Sequence, residues 1–137
     1  MRFYYTPGFL SMTFANRVYL EKVWGDYFIY DAAILGGAET LRGFTRERFA
    51  GDAAVMAASE LRMPLVKLWL IIPGILGVSG HAETGKVFYD NITSDKWHNA
   101  AGGSLWISYL NDAIMLNITA SQSSENLVIY LSTGFMF

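Results

Sequence analysis

The chain has 137 residues, one domain's worth, with 16% charged, 53% hydrophobic and 15% aromatic side chains and a net charge of −2. That balance is too apolar for a comfortable soluble β-protein, where charged residues usually make up ~25%, and it leaves no basic stripe for nucleic acid. With no cysteine, a disulfide framework and thiolate metal sites are excluded.

The longest uncharged run, Leu68 to Ala82, falls short of the ~20 apolar residues of a helical membrane span. It also holds Pro73, Gly74, Gly77 and Gly80, which oppose a helix. High apolar content without a helical span leaves a transmembrane β-barrel or an unusually apolar β-sandwich. No secretory leader is recognisable after Met1-Arg2, so an export signal is expected upstream of Met1.

In chain order, residues 1–6 read as the end of a strand and Pro7-Gly8 as a turn. Leu10 to Trp24 alternates as a strand does, and Gly25-Asp26 opens a long connection that starts with Tyr27, Phe28 and Tyr30. That connection contains Leu35-Gly36-Gly37-Ala38-Glu39-Thr40-Leu41-Arg42-Gly43-Phe44, then Arg48-Phe49. A long patternless connection inside a tight meander is usually functional or disordered. Paired glycines, an arginine and aromatics favour function: the loop is expected to fold back into a barrel and pin Arg42 there.

Ala53 to Leu65 alternates Val55, Ala57, Ser59, Leu61 and Met63 with Met56, Ala58, Glu60 and Arg62. Two charges on one strand face suit a polar interior rather than a dry core. Val66 to Ile72 is expected to turn the chain, and Pro73 to Asp90 to run back with His81, Glu83 and Gly85 on one face. Asn91 to His98 reads as a polar loop and Gly102 to Leu110 as a strand. Asn111-Asp112 reads as a turn, Ile114 to Thr119 as a strand, and Gln122 to Asn126 as a turn. Leu127, Ile129, Leu131, Thr133, Phe135 and Phe137 then close the chain on one parity. The strands are near the ~9–11 residues that a tilted membrane strand needs. The expected fold is all-β: an antiparallel transmembrane β-barrel meander, incomplete at about six or seven strands.

The order L-G-G-x-x-x-L-R-G-F, R-F-x-G-D, S-E-L-R-x-P-L, E-T-G-K-V-F, W-H before G-G-S-L-W and a terminal Phe137 resembles the barrel of the outer-membrane assembly superfamily. That superfamily includes BamA, TamA and the two-partner-secretion transporters, and is also called the bacterial surface antigen family. The resemblance spans essentially the whole chain. It implies a barrel of about sixteen strands, of which residues 1–137 look like the C-terminal segment, in the bacterial outer membrane. It also implies a role in inserting, assembling or translocating proteins, through a seam where the first and last strands pair weakly. Its partners would be outer-membrane lipid and client outer-membrane or secreted proteins.

Carried over residue by residue, the family's loop-locking set falls on Arg42, Gly43, Phe44 and Glu60. Glu83 stands where the family has an aspartate, a departure that changes the reach to Arg42. The assembly signal falls on Phe137, supported by Phe135. A guanidinium fork can engage two carboxylate oxygens at once. At ~4 Å and an effective dielectric of ~20 the gross attraction is roughly 4 kcal/mol, much of it offset by desolvation.

Taken alone, Arg42 reads as an exposed loop arginine, and Arg62 as a residue that solvates an interior wall. His81 and His98 are far apart and lack a third ligand, so no metal site is expected. Neither a nucleophile elbow nor a phosphate-binding glycine loop is present, so no catalytic residue, cofactor or enzyme activity is expected. Three alternatives stand beside the assembly reading. They are the barrel anchor or exit path of a fused patatin-like lipase or metallophosphatase, a homo-oligomer whose copies complete the barrel, and a soluble β-sandwich.

Overall fold

Period-2 alternation becomes strand structure throughout the computed structural model, which describes residues 1–7, 12–25, 28, 31–69, 73–89, 96–110 and 114–135. Among these residues the chain forms nine strands and no helix. They are β1 (Arg2–Tyr5), β2 (Thr13–Lys22), β3 (Ala33–Leu35), β4 (Phe49–Gly51), β5 (Ala53–Trp69), β6 (Pro73–Phe88), β7 (His98–Tyr109), β8 (Ile114–Ser123) and β9 (Leu127–Ser132). Seven of them form one antiparallel meander in the order β1-β2-β5-β6-β7-β8-β9, and β3-β4 pair as a separate ribbon within the β2–β5 connection. Among the described residues β1 and β9 do not pair with each other, so the sheet is open at both edges.

The structure departs from the sequence reading in several places. Gln122 and Ser123, expected to begin a turn, continue β8 against Ala101 and Ala100. Val66 to Trp69 is not a turn: β5 continues through it, past a bulge between Pro64 and Val66. One extra residue there reverses the parity, so that Val66 pairs with Leu76 and both stay on the outer face. β7 begins at His98 rather than Gly102, because Asn99, Ala100 and Ala101 extend the ladder against Thr84, Glu83 and Ala82. β9 ends at Ser132, so the single parity expected through to Phe137 stops early. Asn111-Asp112 and Phe137 lie outside the described residues.

The two faces of the meander have opposite chemistry. The β2–β5 connection folds over one face, here called the inner face. Its buried residues include Arg42 of the connection and, from the sheet, Glu60, Arg62, Ser79, His81, Glu83, Ser104, Ser108, Asn117, Thr119 and Ser121. The outer face carries Phe14, Val18, Leu20, Leu61, Leu105, Leu116, Ile118, Leu127, Ile129 and Leu131, all exposed. Leu131 is 77% exposed and Ser121 0%, so apolar side chains lie outside and small polar ones inside.

The apolar core lies between the connection and the upper inner face. Ala33, Leu35, Leu41 and Phe44 pack against Ala15, Ala54, Met56, Ala58, Val87 and Ala100. Small side chains on the strands let the loop approach closely. At the other end of the inner face, a methyl group on Gly77 would overlap the Trp106 ring, so this glycine makes the slot in which the indole lies.

Candidate functional site

The loop that bears Arg42 is built from its own local chemistry. Thr40 Oγ1 accepts from the Gly36 N–H at 2.9 Å and donates to the Gly36 carbonyl at 3.1 Å, while the Gly37 N–H donates to the Leu41 carbonyl at 3.1 Å. Gly36 and Gly37 both have positive φ, 121° and 100°. These bonds close a tight turn between the two strands of the ribbon and hold Leu41 and Arg42 toward the sheet.

Arg42 is 3% exposed. Its Nε donates to Glu83 Oε1 and its backbone N–H to Glu83 Oε2 at 2.7 Å. Its Nη1 donates to Glu60 Oε2 at 3.0 Å. Glu83 therefore clamps both the side chain and the main chain of Arg42. Glu83 reaches Arg42 directly, so Arg42 is not left to Glu60 alone. The Arg42 Nη2 is buried with no hydrogen-bond partner among the described residues.

Glu60 is shared. Its Oε1 accepts from Arg62 Nε at 2.8 Å, so Arg62 belongs to the lock, which corrects its reading as a residue that merely solvates the wall. The Arg62 guanidinium in turn lies 3.7 Å from the centroid of the Phe135 ring, and Phe135 meets Trp106 edge-on at 5.5 Å. Gly134, at φ 93°, turns the chain so that Phe135 reaches the inner face, contrary to its expected outward parity. A continuous series thus runs Glu83–Arg42–Glu60–Arg62–Phe135–Trp106.

A second set of bonds ties the loop to the last two strands. Gly43 N–H donates to the Tyr130 hydroxyl at 3.1 Å, and that hydroxyl donates to the Phe44 carbonyl at 3.1 Å. Ser123 Oγ donates to the Gly43 carbonyl at 2.6 Å. Gly43 has φ 85°, and a Cβ on it would lie 3.1 Å from both the backbone N and the Cβ of Ser123. Left-handed backbone and close approach together make this a glycine position. Phe44 is fully buried, edge-on to Phe49 at 5.1 Å and to His98 at 5.7 Å. Phe49 stacks on His98 at 3.8 Å.

At the loop end Arg48 Nε and Nη2 donate to the two oxygens of Glu125 at 2.9 and 3.2 Å. This bond, with the positive charge behind it, holds the Glu125 carboxyl below the usual carboxylate range and raises Arg48 above its own.

Arg42, Gly43, Phe44, Glu60 and Glu83 are therefore one contact network, and Phe135 joins it through Arg62. Sequence reasoning missed Tyr130, Ser123 and the part played by Arg62. A single tyrosine on an alternating strand, as Tyr130 is, carries no mark of its hydrogen-bond partner. His81 donates or accepts at Ser121 Oγ, 3.1 Å from its Nε2, and among the described residues no cluster fit for a metal ion occurs. No family model, curated protein or solved structure matches this chain.

Proposed function

We propose that this chain forms the C-terminal wall of a transmembrane β-barrel of the BamA/TamA-like superfamily, in the bacterial outer membrane, where it helps insert, assemble or translocate other proteins. The observation that carries the reading is the reversed polarity of the sheet. Exposed leucines and isoleucines cover the outer face, while serines, threonines, an asparagine and the Arg42–Glu60–Glu83 lock lie buried inside. Lipid tails suit the first, and a polar barrel interior suits the second.

The dimensions agree. From Gly74 to Lys86 β6 extends about 41 Å at ~3.4 Å per residue. A tilt of ~45° reduces that to about 29 Å along the membrane normal, close to the ~30 Å hydrocarbon core. Tyr109 pairs with Gly74 at one end, and Phe88 and Trp97 lie at the other, as interfacial aromatics do. The proposal contains no catalytic step.

In hydrocarbon, unpaired strand edges cannot persist, so β1 and β9 must meet further strands, from the same polypeptide or from a second copy. The β9 edge offers a row of backbone donors and acceptors that a client strand can extend. The inward loop, bonded through Tyr130 to β9 and through Ser123 to β8, would hold that wall rigid beside the seam.

Two measurements test this. Purified chain should enter lipid vesicles and migrate as a heat-modifiable species; a chain that stays in water, monomeric and folded, refutes the membrane reading. A photocrosslinker at Ile129 should then capture client strands. An inserted barrel that captures none refutes the assembly role and favours the anchor reading.

A further inference from the structure

The loop end of the inner face holds a second cluster, apart from the Arg42 lock. Phe49 opens β4 and lays its ring on His98, the first residue of β7, at 3.8 Å with 25° between the planes. Phe44 meets both rings edge-on, at 5.1 and 5.7 Å. Arg48 faces the same Phe49 ring, its guanidinium carbon 5.4 Å from the centroid, and grips Glu125 of the β8–β9 connection. Loop, β7 and connection therefore meet around one half-buried imidazole.

That imidazole is the side chain in this contact whose charge changes near neutral pH. Burial opposes a proton on it, and so do the positive charges of Lys96 and Arg48, while Glu125 favours one. Gly85, its partner on β6, adds no charge. A protonated ring would bring a second cation to the phenyl ring that Arg48 already faces. With the loop end lifted, His98 returns to water, where it takes up a proton near its ordinary 6.5. The lifted form thus accepts a proton that the docked form resists, so falling pH draws the loop end away from β7. Glu125, held below the usual carboxylate range, stays ionised while this happens.

We propose that Phe49 and His98 form a latch released by acid: protonation of His98 lifts residues 45–49 from β7, while the Arg42 lock keeps the rest of the loop in place. Histidines set among like charges make interfaces pH-sensitive in this way. The loop covers the inner face, so release at this end widens access to that face. The inference needs only the docked loop and stands apart from the transmembrane reading.

The chain has no cysteine, so spin labels on Arg46→Cys and Ser124→Cys can report the distance from loop to connection in the detergent-folded chain. Arg46 pairs only with its exposed neighbour Glu47, which makes it a mild place to label. Between about pH 7.5 and about pH 5.5 the displaced population should grow several-fold, up to the limit of about tenfold for one proton. His98→Phe keeps a ring on Phe49 and cannot be protonated, so its distance should stay short at both pH values. Lys96→Gln removes one opposing charge and should shrink the response. A wild-type distance indifferent to pH, or a His98→Phe chain that responds as the wild type does, overturns the proposal. If His98→Phe fails to fold, His98→Gln replaces it, and a response of wild-type size there overturns the proposal. Loss of the β-sheet circular dichroism signal over the same pH range overturns it too, since the latch would then be part of global unfolding.

Discussion

Replacing Arg42 with alanine removes a guanidinium from a site where its two acids are sealed from water. Glu60 is 1% exposed and Glu83 4%. The two acids are not left alike. Glu60 keeps Arg62 at 2.8 Å, whereas Glu83 keeps only the backbone N–H of residue 42, at 2.7 Å in the native loop. Breaking a buried pair by deleting one partner typically costs about 3–5 kcal/mol, mostly through the charge left behind. Leu35, Leu41 and Phe44 stay fully buried under the loop, each worth roughly 1.5–3 kcal/mol. The loop should therefore remain docked but open far more often. At about 1.4 kcal/mol per tenfold, local opening should rise by about 10²–10³-fold. Amide hydrogen exchange of the detergent-folded chain reads this directly, as lost protection at Arg42 and Gly43, whose N–H groups donate to Glu83 and Tyr130, with the β6–β7 ladder unchanged. Adding Glu83→Gln to Arg42→Ala should restore part of the protection, because the stranded charge is gone. Unchanged protection in Arg42→Ala, or a double variant as exposed as the single one, refutes the reasoning.

Tyr130→Phe removes a hydroxyl that accepts from Gly43 and donates to Phe44; with two backbone groups stranded, loop docking should weaken by about 1–3 kcal/mol, seen as faster exchange at Gly43 with the sheet intact. Gly43→Ala forces a side chain into left-handed backbone beside Ser123 and should cost about 1–3 kcal/mol, read as a lower unfolding midpoint in detergent. The Arg48–Glu125 pair lies outside the seven-stranded sheet's ladder, and its Glu125 carboxyl is held below the ordinary value. Its contribution is complete above that ordinary value and disappears as pH falls through the depressed one. Loop protection near Arg48 should thus decline on acidification in the wild type and less so in Arg48→Gln, and high salt should blunt the difference, since both groups are exposed.

Much of the sheet was legible because a strand writes its two faces into alternate residues. The polar set Ser104, Ser108 and the apolar set Leu105, Ile107 of β7 declare their faces without any neighbour. The same logic misread β5 beyond Leu65. A bulge breaks parity there, and a broken parity looks like a turn when only the sequence is read. It misread β9 as well, since nothing local says that Gly134 will turn Phe135 back toward Arg62.

The lock divides in the same way. Arg42, Glu60 and Glu83 were singled out because the resemblance carries a motif arginine and its acid partners onto those positions, and the structure brings the three side chains together. Tyr130, Ser123 and Arg62 were not, since their roles depend on which backbone groups the loop brings to them across distances of up to 87 residues. By itself the sequence determined strands and their faces, consequences of alternation within a few residues. Only the tertiary structure decided the register, the bulge and the inward hook of Phe135, because those follow from contacts between segments that no local pattern encodes.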